Sequence, residues 1–136
     1  MTRFVIDAPA VLQLAADGGA VPDAHTLLAP TLLRSQVLSL LHEAVHRGEL
    51  SDEDGRARLA VVGRMPIRLL GDGVLRRRAW QIATTLGWPS TYEAEYVALT
   101  QLQAEALITA DEHFARRLEG IVSVASLDTL RRASDG

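Results

Sequence analysis

Two short apolar runs each end in an aspartate and feed a helical pattern. Phe4-Val5-Ile6 runs into Asp7, and Ala106-Leu107-Ile108 runs through Thr109 and Ala110 into Asp111. Continuous apolar runs of this length suit strands buried on both faces. After Asp7 the apolar spacing from Ala8 to Ala16 suits a helix, with Pro9 accommodated in its first turn. After Asp111 the residues Phe114, Ala115 and Leu118 do the same. A strand that ends in a carboxylate and passes into a helix is how an open parallel α/β sheet builds a site at its carboxyl edge. Two such strand ends predict one shared acidic cleft.

The remaining chain supplies alternating elements. Leu27-Leu28-Ala29, ended by Pro30, reads as a second strand. From Thr31 to His46 the apolar positions Leu32, Leu33, Val37, Leu40, Leu41, Ala44 and Val45 recur at spacings of three and four, which predicts an amphipathic helix with Thr31 as its N-cap and Gly48 as its stop. Ser51 opens another helix with a capping pattern, Ala57, Leu59, Ala60, Val61 and Val62 form its expected apolar face, and Gly63 its expected end. Pro66 to Leu70 reads as a third strand. Asp72 caps a helix that Gly87-Trp88-Pro89 breaks. Ser90 or Thr91 opens a further helix with Tyr92, Tyr96, Leu99 and Leu102 expected inside, and Trp80 is likewise expected in the core. A last strand is expected at Ile121 to Val124, then a terminal turn or helix from Ser126 to Arg132. Helices between strands imply crossover connections, hence a parallel sheet of about five strands covered on both faces. A single domain is expected over residues 1–136, with 133–136 as a frayed tail.

Composition narrows the chemistry. There is no cysteine, which removes disulfides, thiolate metal sites and cysteine nucleophiles and fits a reducing compartment. The N-terminal apolar run is interrupted by Asp7, unlike a signal peptide, and no run approaches a membrane span, so the cytoplasm is the expected location. The formal net charge of −3 argues against nucleic-acid binding by bulk positive field alone. It leaves a nuclease open, because bound divalent cations add charge where the phosphate sits. Lysine is absent, which disfavours a response-regulator-like acidic pocket that gives a lysine a role.

The acidic set carries the chemistry. Asp7 and Asp111 are expected to face each other at strand ends, and Glu93, in the first turn of the helix that starts near Thr91, joins them at the sheet edge if that helix packs beside the Asp111 strand. Carboxylates held that close repel, and pairing with Mg²⁺ or Mn²⁺ removes the conflict; an all-oxygen donor set favours that class of metal. The reaction that follows is phosphodiester cleavage by activated water. Each acid also has a structural reading: a strand-end turn or N-cap for Asp7 and Asp111, and a favourable helix N-terminus for Glu93. His42 and His46 share an i, i+4 spacing but lack a third ligand, and Arg76-Arg77-Arg78 reads first as a solvated face. Arg116 and Arg117, just past Asp111, are better placed to meet a phosphate.

The ordered segments Phe4-Val5-Ile6-Asp7-Ala8, Ala29-Pro30-Thr31-Leu32-Leu33-Arg34-Ser35-Gln36-Val37-Leu38, Arg47-Gly48-Glu49-Leu50-Ser51, Tyr92-Glu93-Ala94-Glu95-Tyr96-Val97-Ala98-Leu99 and Leu107-Ile108-Thr109-Ala110-Asp111 resemble those of PIN domains, in the arrangement of the VapC-type toxins of bacterial toxin–antitoxin pairs. The resemblance spans nearly the whole chain. It implies a PIN-like three-layer α/β/α fold and a metal-dependent endoribonuclease with Mg²⁺ or Mn²⁺ held by acids. It also implies a homodimer and a cognate antitoxin partner. On this pattern Asp7, Glu93 and Asp111 are the metal-binding acids, and Gln36 and Thr109 support water or its orientation. Three positions depart from the pattern. Ala8-Pro9 stands where a small hydroxyl residue follows the first aspartate. Gln36 stands where a glutamate is usual, and Glu93 where an aspartate is usual. The amide keeps shape and loses charge, so weaker metal binding is expected. A second function is therefore carried forward: a PIN-fold protein of reduced or lost catalysis that retains antitoxin or RNA binding.

Overall fold

The computed structural model describes residues 2–132. In chain order the elements are β1 (Thr2–Ile6), α1 (Ala8–Ala16), β2 (His25–Pro30), α2 (Leu32–His46), α3 (Asp52–Arg64), β3 (Ile67–Leu70), α4 (Gly73–Leu86), α5 (Tyr92–Gln103), β4 (Ala106–Ile108), α6 (Glu112–Arg117), β5 (Val124–Ala125) and α7 (Leu127–Arg132). The strands form a five-stranded sheet in the order β3-β2-β1-β4-β5, each neighbouring pair parallel. The expected frayed tail, 133–136, lies outside the described residues.

The order follows from the handedness of parallel crossovers. From β1 the chain steps outward to β2 and then β3. From β3 it crosses back over β2 and β1 to β4, then continues to β5. Right-handed connections in opposite directions put their helices on opposite faces. Accordingly α1, α2 and α3 pack on one another, and α4 packs on α5, which lies against β1, β2 and β4. The expected α/β/α sandwich is therefore present. Its centre is aliphatic: Val5, Ile6, Leu27, Leu28, Leu107 and Ile108 are almost fully buried, with Val97 and Leu99 of α5 over them. Burial of each such side chain is worth roughly 1.5–3 kcal/mol.

Several local expectations are corrected. β2 is longer than Leu27–Ala29, because it pairs with β1 on one side and β3 on the other. Thr31 makes no side-chain cap; it already has helical dihedrals, and its N–H donates to Leu70 O at 3.2 Å. α3 runs through Gly63 to Arg64 and stops where Met65 turns extended, the conformation that the following Pro66 imposes. Gly55 is the buried position of α3, and its predicted apolar face is only partly covered, with Leu59 exposed. The last strand is Val124–Ala125, later than expected. Ile121 and Val122 instead close the turn after α6, both N–H groups donating to Leu118 O. Tyr96 and Leu99 are inside as expected, whereas Tyr92, Leu102 and Trp80 are exposed, Trp80 at 70%. The buried face of α4 is made by Leu75, Ala79, Ile82 and Ala83, and Trp80 lies outside it, a choice that helical period alone does not make. The Ser51 and Asp72 caps form as expected, accepting from Asp54 N and Leu75 N.

Candidate functional site

The strand order reverses between β1 and β4, and the crevice at that switch point is where open α/β sheets bind ligands. Ile6 is in register with Ile108, and the Asp7 N–H donates to Ile108 O at 3.1 Å. Asp7 and Thr109 are thereby carried to the same sheet edge. The Asp7 side chain accepts from Ala10 N at 3.0 Å and caps α1. It also accepts from the Thr109 hydroxyl. The same Thr109 oxygen accepts from Asp111 N at 3.0 Å, so one buried hydroxyl ties the two aspartates together. Asp111 caps α6, its Oδ1 accepting from His113 N at 2.9 Å and Phe114 N at 3.1 Å. Both aspartates are thus N-caps as well as members of the cleft; the structural and chemical readings are compatible.

Asp7 is the centre of the electrostatics. It is only 5% exposed. Burial pushes its carboxyl from an ordinary 3.8 up to about 6; the bonds from Thr109 and Ala10 oppose the rise, and the charges of Asp111 and Glu93 add to it. A buried carboxylate between two like charges is an unresolved conflict unless a cation or a proton joins it.

The other members come from α2, α5 and α6. Gln36, in the second turn of α2, accepts from the Tyr96 hydroxyl at 2.5 Å through Oε1. The amide oxygen that could have served an ion is therefore engaged. Burial, then the charges of Asp7 and Glu95, push the Tyr96 phenol above its usual range, so it stays a hydrogen-bond donor. Glu93 lies in the first turn of α5, and its Oε1 accepts from Arg117 Nη1 at 2.9 Å. Glu95 is raised by burial, with Arg76 of α4 opposing the rise.

The five expected residues are therefore unequal. Asp7, Thr109 and Asp111 share a bond network; Glu93 joins them through its field, and Gln36 reaches the centre through Tyr96. The donors suit a hard divalent ion in kind and charge. They are not gathered into a finished cage: among the described residues no three acids or histidines converge closely enough to hold an ion unaided. His42 and His46 are exposed on α2. Tyr96, inside as expected, also reaches the site through Gln36, and Arg117, expected beside the cleft, bonds Glu93 there; neither of these two bonds was expected from the sequence. Tyr96 stands three residues from Glu93, one turn along the same helix face, which was the available signal.

No family model matches the chain. It is 34% identical over 111 residues to a VapC ribonuclease of Mycobacterium bovis, covering 79% of this chain and 85% of that protein. Ribonuclease VapC9 of Mycobacterium tuberculosis matches with the same identity and coverage. Among solved structures, PAE2754 from Pyrobaculum aerophilum superposes with a TM-score of 0.72 at 20% identity, over 95% of this chain and 93% of that one. VapBC-1 from nontypeable Haemophilus influenzae superposes with a TM-score of 0.58 at 16% identity, over 91% and 97%. These two likenesses speak to the fold, and they agree with the parallel three-layer sheet. Identity above three residues in ten, sustained over most of both chains, goes further: this chain belongs to the VapC ribonuclease family of PIN-domain proteins.

Proposed function

We propose that this chain is a metal-dependent endoribonuclease, the toxin of a toxin–antitoxin pair. The observation that carries the reading is Asp7: a buried carboxylate at the switch point, raised to about 6 and flanked by Asp111 and Glu93. An acid kept in that environment costs stability, and binding of a cation offsets the cost. Asp7, Glu93 and Asp111 would hold Mg²⁺ or Mn²⁺. When bound, the ion would supply charge to the scissile phosphate and make water a stronger nucleophile. Thr109 would orient the Asp7 carboxylate through its hydroxyl and hold the backbone of Asp111, whose N–H donates to it. Tyr96 fixes Gln36, which leaves the Gln36 amide N–H₂ as a donor.

The ribonuclease names of the mycobacterial relatives support RNA as substrate, and the VapBC neighbour supports an antitoxin as partner. The reading includes a homodimer and action in the cytoplasm, which the absence of cysteine suits. No described helix is long and apolar enough to cross a membrane.

The test is cleavage of a mixed RNA pool by the purified chain with Mn²⁺, with EDTA and with Asp7→Asn. Cleavage that needs Mn²⁺ and falls at least a hundredfold in the variant is expected; cleavage that survives both changes would sink the reading. The second reading, a binding protein of the same fold with weakened catalysis, rests on two observations: Gln36 replaces an acid, and Glu93 is engaged by Arg117. Under it the wild type is inert with Mn²⁺, and Gln36→Glu restores cleavage.

A further inference from the structure

Glu93 already has a cation. The Arg117 guanidinium that donates to it at 2.9 Å also lies 4.8 Å from the centre of the Trp88 ring and 5.7 Å from that of Phe114. Its seat is built by two separate stretches. Phe114 is the buried residue of α6. Trp88 is delivered by Gly87, which ends α4 in the left-handed conformation (φ 70°) and lets the Trp88 N–H donate back to Ala83 O at 2.8 Å. The guanidinium therefore has a place on aromatic faces while it donates to Glu93. The Arg117 and Glu93 side chains are 33% and 46% exposed, so solvent screens the pair and holds it within the range of surface ion pairs. A contact of that strength can open.

We propose that Arg117 is a positioning residue that occupies Glu93 in the resting fold, so that Glu93 joins Asp7 and Asp111 around a divalent ion only when Arg117 releases it. The aromatic seat keeps the guanidinium beside the cleft after release. Arg117 thereby sets the ion affinity lower than the three acids alone would give. This rests on the reading of those acids as the ion-binding set.

The test is calorimetric titration of MnCl₂, without RNA, into the full chain and into Arg117→Gln, Arg117→Lys and Arg116→Gln. Arg116 is the exposed neighbour, so its replacement makes the same change in net charge without touching Glu93. Arg117→Gln is expected to tighten Mn²⁺ binding about fivefold, the equivalent of releasing a surface ion pair. Arg117→Lys keeps the charge but loses the planar stack, and should tighten binding about twofold; it carries the test if the glutamine variant does not fold. Arg116→Gln should leave the affinity as in wild type, so that both Arg117 variants bind Mn²⁺ tighter than it does. Arg117 variants no tighter than wild type, or no tighter than Arg116→Gln, overturn the proposal. If wild type takes up Mn²⁺ and the Arg117 variants match it, only the role of Arg117 falls. If none of the proteins takes up Mn²⁺, the ion-binding reading falls with it.

Discussion

Asp7 does three things with one carboxylate: it caps α1, accepts from Thr109 and sits between the fields of Asp111 and Glu93. Its raised pKa has a direct consequence for stability. Between about 3.8 and 6 the folded chain holds a proton on Asp7 that the unfolded chain has lost. Stability from this group therefore falls as pH rises through that window, and the loss is complete above about pH 6. A shift of this size corresponds to about 3 kcal/mol. Asp7→Asn keeps an oxygen for Ala10 N and removes the charge. In the absence of divalent ions it should unfold at a higher temperature than wild type at pH 7.5, by the equivalent of about 2 kcal/mol, and show no gain near pH 4. Thermal melts at the two pH values check this. A variant that is more stable and inert would mark Asp7 as an acid retained for chemistry rather than for folding.

At the scale of elements, the cleft is assembled from helix starts. α1 begins at Asp7, α6 at Asp111, and the first two turns of α2 and α5 carry Gln36, Glu93 and Tyr96. Parallel strands all present their carboxyl ends to one edge, so α1, α2 and α6, which each follow a strand, begin there; α5 follows α4 and is brought in by its packing on α4 and on β1, β2 and β4. Asp111 shows how capping and chemistry separate. Asp111→Asn keeps a cap oxygen for His113 N and Phe114 N, and should leave stability within about 0.5 kcal/mol of wild type. Asp111→Ala removes the cap and should cost about 1–2 kcal/mol. Both should lose Mn²⁺-dependent cleavage. Denaturant melts beside a cleavage assay distinguish the two roles; a stable, active Asp111→Ala would assign Asp111 to neither. Capping was legible locally, since Ser51 and Asp72 bond within three residues of themselves. The start of α2 was not, because the Thr31 backbone answers to Leu70 on another strand.

For the whole molecule, an ion held by the acidic centre would link binding to folding. An ion that binds only the folded chain should raise the melting temperature at pH 7.5, by the equivalent of about 2.7 kcal/mol at a hundredfold excess over its Kd. Gln36→Glu adds a carboxylate at the Tyr96 hydroxyl, which already feels the charge of Asp7, and can still accept from it. Without ions it should melt below wild type, because like charges are brought together; with Mn²⁺ the order should reverse. Scanning calorimetry with and without Mn²⁺ reads both signs, and a variant whose Mn²⁺ shift equals that of wild type would remove Gln36 from the site. Much of this molecule was determined by the sequence alone: which runs form the first four strands, that an aspartate ends two of them, that helices alternate with them, and hence a parallel three-layer fold. Those features depend on residues within a few positions of one another. Only the tertiary structure decided which groups meet. It paired Glu93 with Arg117, gave the Gln36 oxygen to Tyr96, bridged two aspartates with Thr109 and left Trp80 in solvent. Most of these pairings join residues far apart in the chain: Tyr96 and Gln36 are 60 positions apart. Local pattern does not encode them; they follow from the strand order and from the face each helix turns to the sheet.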